Sequence, residues 1–251
     1  MSDPTPKPVL LYLPGLDGSG RLLFTQTRLF KEYDVLCQVY PNDKAHDYES
    51  LATDAAQRLQ AEYPGRKATL LAESFGGGVS IEFVTRFPQL VERWVLVNTF
   101  ARFPKPWLPR LGSILRFGPS RPSPVWTRRF RERTLFADDM PRESRDQWWE
   151  QVKDLKTSTA GHRARLISGL DRLADLASIT IETLVIVATD DRLVAPSAGY
   201  ELAKRIPNAK LVEVTGGHTL MAHPSFDLCD HLGNEDAGGL STAAGALHPS
   251  E

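Results

Sequence analysis

Six short apolar runs alternate with stretches of helical spacing, and this alternation leaves few ways for the chain to fold. The runs are residues 9–13 (VLLYL), 35–40 (VLCQVY), 68–72, 94–97, 183–188 (TLVIVA) and 210–214. They are continuous rather than alternating in polarity, which is the pattern of strands buried on both faces. Between them the spacing predicts helices over 48–63, 75–87, 161–176 and 197–206, with a short one after Pro224. Breakers such as Pro14-Gly15, Pro41 and Pro64-Gly65 close several of these elements. Strands alternating with helices give an α/β fold with a parallel sheet covered on both faces. From residue 100 to about 160 the alternation lapses. That stretch is rich in Pro, Arg and Trp, with helices expected near 127–136 and 142–156. It reads as a helical cap (100–160) set into a core of 9–99 and 161–232. Residues 1–8 read as a loose tail. Residues 233–251, rich in Gly, Ala and Ser, read as disordered.

Composition removes several classes. Of 251 residues 41% are apolar, and 30 basic residues nearly balance 31 acidic ones for a net charge of −1. A dedicated nucleic-acid binder needs a clear positive excess, so no nucleic-acid partner is expected. No run approaches the roughly 20 apolar residues of a membrane span, so integral membrane association is not expected either. The first eight residues lack the apolar core of a secretory signal, which makes the cytoplasm the expected location. Cys37 and Cys229 are the only cysteines, and there is no Cys/His cluster. Neither a disulfide framework nor a metal site is expected, and no cofactor is called for.

The sharpest local signal is Leu70-Leu71-Ala72-Glu73-Ser74-Phe75-Gly76-Gly77-Gly78, where a strand runs into Ser74 and a helix starts at once. In such a turn the residues two before and two after the serine approach closely and must be small. The strain lifts Oγ clear of the backbone. A serine at a helix start is also a common cap, so the turn alone decides little. A nucleophilic hydroxyl needs a base, an acid to orient the base, and an anion site. Three further segments supply candidates. The Gly-rich loop Pro14-Gly15-Leu16-Asp17-Gly18-Ser19-Gly20 follows the first strand, so the N–H groups of Leu16 and Phe75 are the candidate oxyanion donors. Asp190 and Asp191 lie just past the fifth run, where either could orient a base. His218 follows the last run on a Gly-Gly loop and is the best placed of six histidines, with His223 as the fallback. The chain order Ser74, Asp, His218 is the order of such triads on strand-turn-helix scaffolds.

With these residues in hand, the chain resembles the α/β-hydrolase superfamily, and its esterase, lipase and acyltransferase branch in particular. That branch includes the hydrolase-like part of plant phytyl-ester synthases. The segments LPGLDGSG, AESFGG, ATDDRLVAP and GGHTL carry the likeness, which runs from Val9 to about Leu232. The family's G-x-x-D-x-x-V pattern puts its aspartate on Asp191, with Ala188 and Val194 at the flanking positions. Ala72 replaces the usual first glycine, and Pro14 stands where many lipases have His. The resemblance implies a sheet trimmed from eight strands to about six. It also implies an ester or acyl small molecule as substrate, cleaved through Ser74, His218 and Asp191 by way of an acyl-enzyme. The alternatives are acyl transfer or thioester cleavage with the same residues, and a binding protein on this scaffold without catalysis.

Residues 101–145 hold ten arginines and Lys105 against four acids, with Trp107 and Trp126 among them and Trp148-Trp149 just beyond. Such a basic, aromatic segment suits either a solvated helix face over packed indoles or the steering of an anionic acyl carrier or lipid surface.

Overall fold

The computed structural model describes residues 6–42, 45–114 and 131–233. Six strands form one sheet: β1 (Val9–Leu13), β2 (Asp34–Cys37), β3 (Ala68–Glu73), β4 (Val91–Val97), β5 (Thr183–Ala188) and β6 (Ala209–Val214). Their order is β2-β1-β3-β4-β5-β6, and every neighbouring pair is parallel. All carboxyl ends therefore lie along one edge. Leu13 pairs with Ala72, Ala72 with Leu96, and Ala188 with Val214.

The period of two along each strand sorts the apolar residues onto two faces. Leu11, Leu13, Leu70, Ala72, Trp94, Leu96, Val185 and Val187 belong to one buried cluster. It is shared with helices α2 (Tyr48–Glu62) and α3 (Gly76–Arg86), and with the helix that follows β5, Ser197–Arg205. Leu10, Tyr12, Leu71, Val95, Val97, Leu184 and Ile186 form the opposite cluster. There they meet Leu29 of α1 (Thr27–Glu32) and the C-terminal stretch with Leu228 and Leu232. Both faces are thus buried, which accounts for the uninterrupted apolar runs. β6 is an edge strand and is largely open on its outer side.

The helices between β4 and β5 are α4 (Trp107–Gly112), α5 (Arg142–Val152) and α6 (Thr157–Gly169). α7 (Ser197–Arg205) and α8 (Cys229–Leu232) complete the chain order. Trp148 of α5 meets Phe136 edge-on at 5.4 Å and Trp149 at 4.9 Å. These rings sit with Leu22, Met140 and Ala222 in a third small core that joins this segment to the sheet domain.

Several element limits differ from the pattern-based expectation. The second strand stops at Cys37, since Val39 and Tyr40 have left the sheet and Tyr40 N–H bonds to Gly18 O. The helix expected over 161–176 begins at Thr157 and ends at Gly169. Arg172 N–H then bonds to Ala101 O, and only a 3-10 turn at Asp175–Ser178 follows. α1 escaped notice because six residues are too few to display a helical period. The expected helix over 127–136 falls largely outside the described residues, although 131–135 is helical. The expected disordered tail lies outside them but for Gly233.

α7 packs so closely on β5 that a Cβ on Gly199 would fall onto Val187 Cγ2. Alanine favours a helix over glycine by about 1 kcal/mol, whereas overpacking a core costs about 1–3 kcal/mol. We expect Gly199→Ala to lower unfolding free energy by up to about 2 kcal/mol in urea titration. In combination with Val187→Ala the two losses should sum to less than their separate values.

Candidate active site

The turn after β3 is the structural centre of the site. Ser74 has φ +51°, in the left-handed region that side chains other than glycine seldom occupy. Its carbonyl accepts from Thr99 Oγ1 at 2.5 Å and from Gly77 N–H at 3.0 Å, and its own N–H donates to Val97 O at 3.2 Å. α3 then packs its first turn against the end of β1. A Cβ on Gly76 would land on the Leu13 carbonyl oxygen, so only glycine fits there. The small residue that the sequence pattern demanded is therefore required by backbone contact.

His218 is brought to this turn by the loop after β6. Its Nε2 lies 3.0 Å from Ser74 Oγ, and its Nδ1 lies 2.7 Å from Asp191 Oδ2. The other Asp191 oxygen accepts from the N–H groups of Leu193 and Val194, both at 2.8 Å. With a carboxylate accepting on one side, the ring's proton sits on Nδ1, and Nε2 is left to accept from the serine hydroxyl. Burial pulls the His218 pKa down, but the charge of Asp191, its hydrogen bond and the nearby Glu73 outweigh this and raise it overall. Of the two aspartates the sequence offered, Asp191 lies against the His218 ring, while Asp190 is exposed at the surface with its N–H on Gly216 O. His223 stands apart: its Nδ1 bonds to Ser225, and Asp139 lies 3.5 Å from its Nε2.

The loop after β1 runs alongside the serine, close enough that a Cβ on Gly15 would lie 3.6 Å from Ser74 Cβ. Among the described residues, neither the Leu16 nor the Phe75 N–H is used in a turn or cap hydrogen bond. Phe75 stands at the amino end of α3, where backbone N–H groups lack helical partners.

Residues that gave no sequence signal hold these parts together. Asn98, at the end of β4 with φ +48°, accepts from Ala188 N–H at 2.8 Å. Its amide donates to the carbonyls of Gly217 and His218 at 3.2 and 3.0 Å. One buried side chain thus joins three strand ends and fixes the histidine loop. Its only trace in the sequence was an asparagine at a strand's carboxyl end. Glu73, the residue before Ser74, is buried and accepts from Tyr12 Oη at 2.6 Å. Among the described residues, no group of three or more potential metal-binding side chains occurs. Likewise, no helix there is long and apolar enough to cross a membrane.

Residues 10–230 match the family described as Alpha/beta hydrolase family. Among curated relatives, the chain is 28% identical over 231 residues to polyketide synthase ThaQ of Burkholderia thailandensis, covering 85% of this chain and 11% of that protein. It is 32% identical over 116 residues to phytyl ester synthase 1 of Arabidopsis thaliana (45% and 16%). To 2-hydroxymuconate semialdehyde hydrolase of Pseudomonas putida it is 29% identical over 211 residues (79% and 73%). It therefore spans about a tenth and a sixth of the first two relatives. Among solved structures, the enol-lactonase of Burkholderia xenovorans superposes with a TM-score of 0.72 at 21% identity, covering 86% of this chain and 85% of that one.

Burial raises the Glu73 pKa from about 4.5 to about 7, even though the Tyr12 hydrogen bond works in the opposite direction. Between these two values the folded protein keeps a proton that the unfolded chain has released, so stability falls as pH rises through the window. The loss is on the order of 3 kcal/mol for a shift of this size. Glu73→Gln cannot ionise. Urea unfolding of the two proteins should therefore diverge in favour of the Gln variant from pH 5 to pH 8; parallel pH profiles would contradict this.

Proposed function

The chain belongs to the alpha/beta hydrolase family, and on that premise we propose that it is a serine hydrolase of carboxylic esters, with Ser74 as nucleophile. The observation that carries this reading is the continuous relay from Asp191 through His218 to Ser74 Oγ, with contacts of 2.7 and 3.0 Å. Oγ attacks the ester carbonyl carbon while His218 Nε2 takes the hydroxyl proton. The carbonyl oxygen becomes an oxyanion held by the N–H groups of Leu16 and Phe75, each worth on the order of 3 kcal/mol. His218 then passes its proton to the departing alcohol oxygen, leaving an acyl-Ser74. Water attacks this acyl group, His218 takes the water's proton and returns it to Oγ, and the carboxylic acid leaves. Asp191 holds the imidazole tautomer and stabilises its charged form. The segment of residues 100–160 acts as a cap over the acyl group.

Acyl transfer is a second reading, favoured by the match to a phytyl ester synthase. It uses the same residues, with an alcohol in place of water in the second half. Products formed in the presence of a long-chain alcohol separate the two: free acid marks hydrolysis, and a new ester marks transfer.

For either reading, Ser74→Ala should reduce p-nitrophenyl ester turnover by roughly 10⁴- to 10⁶-fold. It should also abolish labelling by a fluorophosphonate probe. Equal turnover in both proteins removes Ser74 from the chemistry.

A further inference from the structure

Arg163 lies in the middle of α6 and is fully buried. Its Nη1 donates to Leu16 O at 2.7 Å, its Nη2 to Pro41 O at 2.9 Å, and its Nε to His46 Nε2 at 3.2 Å. The guanidinium carbon sits 5.5 Å from the Tyr40 ring centroid. Gly18, at φ +66°, leaves the room it occupies: a Cβ there would come within 2.5 Å of Nη1. Among the described residues no carboxylate reaches ion-pair distance of this cation. Burial lowers its pKa to about 10, so it stays charged at neutral pH. Burying a guanidinium with no carboxylate in direct contact among the described residues is costly, and only well-aligned acceptors make it tolerable. Here two of the three acceptors are carbonyls of the loops after β1 and β2.

One of them bears directly on the anion site. The Leu16 N–H shares its peptide plane with the Gly15 carbonyl, which accepts from Gly18 N–H at 3.0 Å. The next carbonyl along, Leu16 O, is the one held by Arg163. The two carbonyls flanking Leu16 are thus both fixed, and its N–H direction follows from them. Nothing else among the described residues donates to Leu16 O.

We propose that Arg163 is the positioning residue of the oxyanion site: it aims the Leu16 N–H and thereby ties the helix that follows the inserted segment to the nucleophile's transition state. This rests on the reading of Ser74 as nucleophile. Arg163 touches neither substrate nor reacting atoms, and its effect appears where charge develops on the carbonyl oxygen. Lysine keeps the positive charge but cannot hold three acceptors on a planar fork.

The experiment compares wild type, Arg163→Lys and Gly18→Ala, the last of which disturbs the same contact from the loop side. Fluorophosphonate labelling of wild type at Ser74 comes first; its absence overturns the nucleophile reading itself. With labelling established, kcat and KM for a p-nitrophenyl ester are measured together with the Ki of an alkyl boronic acid, whose serine adduct is a tetrahedral, negatively charged boron that places an oxygen at the oxyanion site. Arg163→Lys should lower kcat by about 10²-fold with KM changed less than threefold, the size expected for one lost oxyanion donor. The boronate Ki should rise in parallel. Gly18→Ala should act in the same direction, and the double variant should lose less than the product of the two. Wild-type kcat and boronate affinity in a folded Arg163→Lys protein overturn the proposal. So does a loss confined to KM. Should the lysine variant fail to fold, Gly18→Ala alone decides by the same readouts.

Discussion

The whole site depends on a left-handed turn at a residue that does not favour it. A serine at φ +51° is held in a sparsely populated conformation, at a cost of order 1–3 kcal/mol. The surroundings determine it from three sides. β4 supplies the Val97 carbonyl and the loop just past it the Thr99 hydroxyl, β1 supplies the carbonyl against which Gly76 rests, and α3 supplies the N–H that closes on Ser74 O. Because β1, β3 and β4 are neighbours in the sheet, the turn cannot relax without disturbing its central pairings. The same constraint explains why the glycine-rich loop of Gly15 and Leu16 lies beside the serine: it is the continuation of β1, and β1 is fixed by its register with β3.

The second layer of organisation is polar and lies at the carboxyl edge of the sheet. Asn98 satisfies the amide at the end of β5 and two carbonyls of the loop after β6. In a buried region an unpaired group costs about 1–3 kcal/mol, so this side chain specifies one arrangement of three loop stems. Asp191 works in the same manner, spending one oxygen on two backbone amides of its own loop and keeping the other for His218. The histidine is consequently located by its backbone through Asn98 and by its ring through Asp191.

How much of this could be read from the residues follows from the range of each interaction. The sheet was legible because burial on both faces writes itself into contiguous residues, as in Leu10 through Leu13 or Leu184 through Val187. Ser74 and its small neighbours were legible because a close backbone approach restricts residue type locally. The fold class and the family resemblance agree with the sheet and with the match over residues 10–230. The clasp made by Asn98, the pairing of Glu73 with Tyr12 and the burial of Arg163 were not legible. Each joins positions 61 to 147 residues apart, and an isolated Asn, Glu or Arg reads as an ordinary surface residue until the partner is known. The helix end at Gly169 was missed for a related reason: Ala101, far away in the chain, provides the acceptor for Arg172 beyond it.

The buried charges divide the site into two electrostatic halves. Asp191, and Glu73 once it is ionised, raise the His218 pKa, so on that side negative charge prepares the ring to accept a proton. On the other side the buried cation of Arg163 backs the loop that bears Leu16. In the proposed reaction a proton arrives on the imidazole as negative charge arrives on the carbonyl oxygen. Positive charge therefore grows beside the carboxylates while negative charge grows toward the loop that the guanidinium supports. Such a field is set before substrate enters and needs little rearrangement as the bond forms, which is the circumstance in which fixed dipoles contribute most to a barrier. A substrate that developed no negative charge on its carbonyl oxygen would draw nothing from this arrangement, so the proposed acyl chemistry is the use of the turn that this polarity supports.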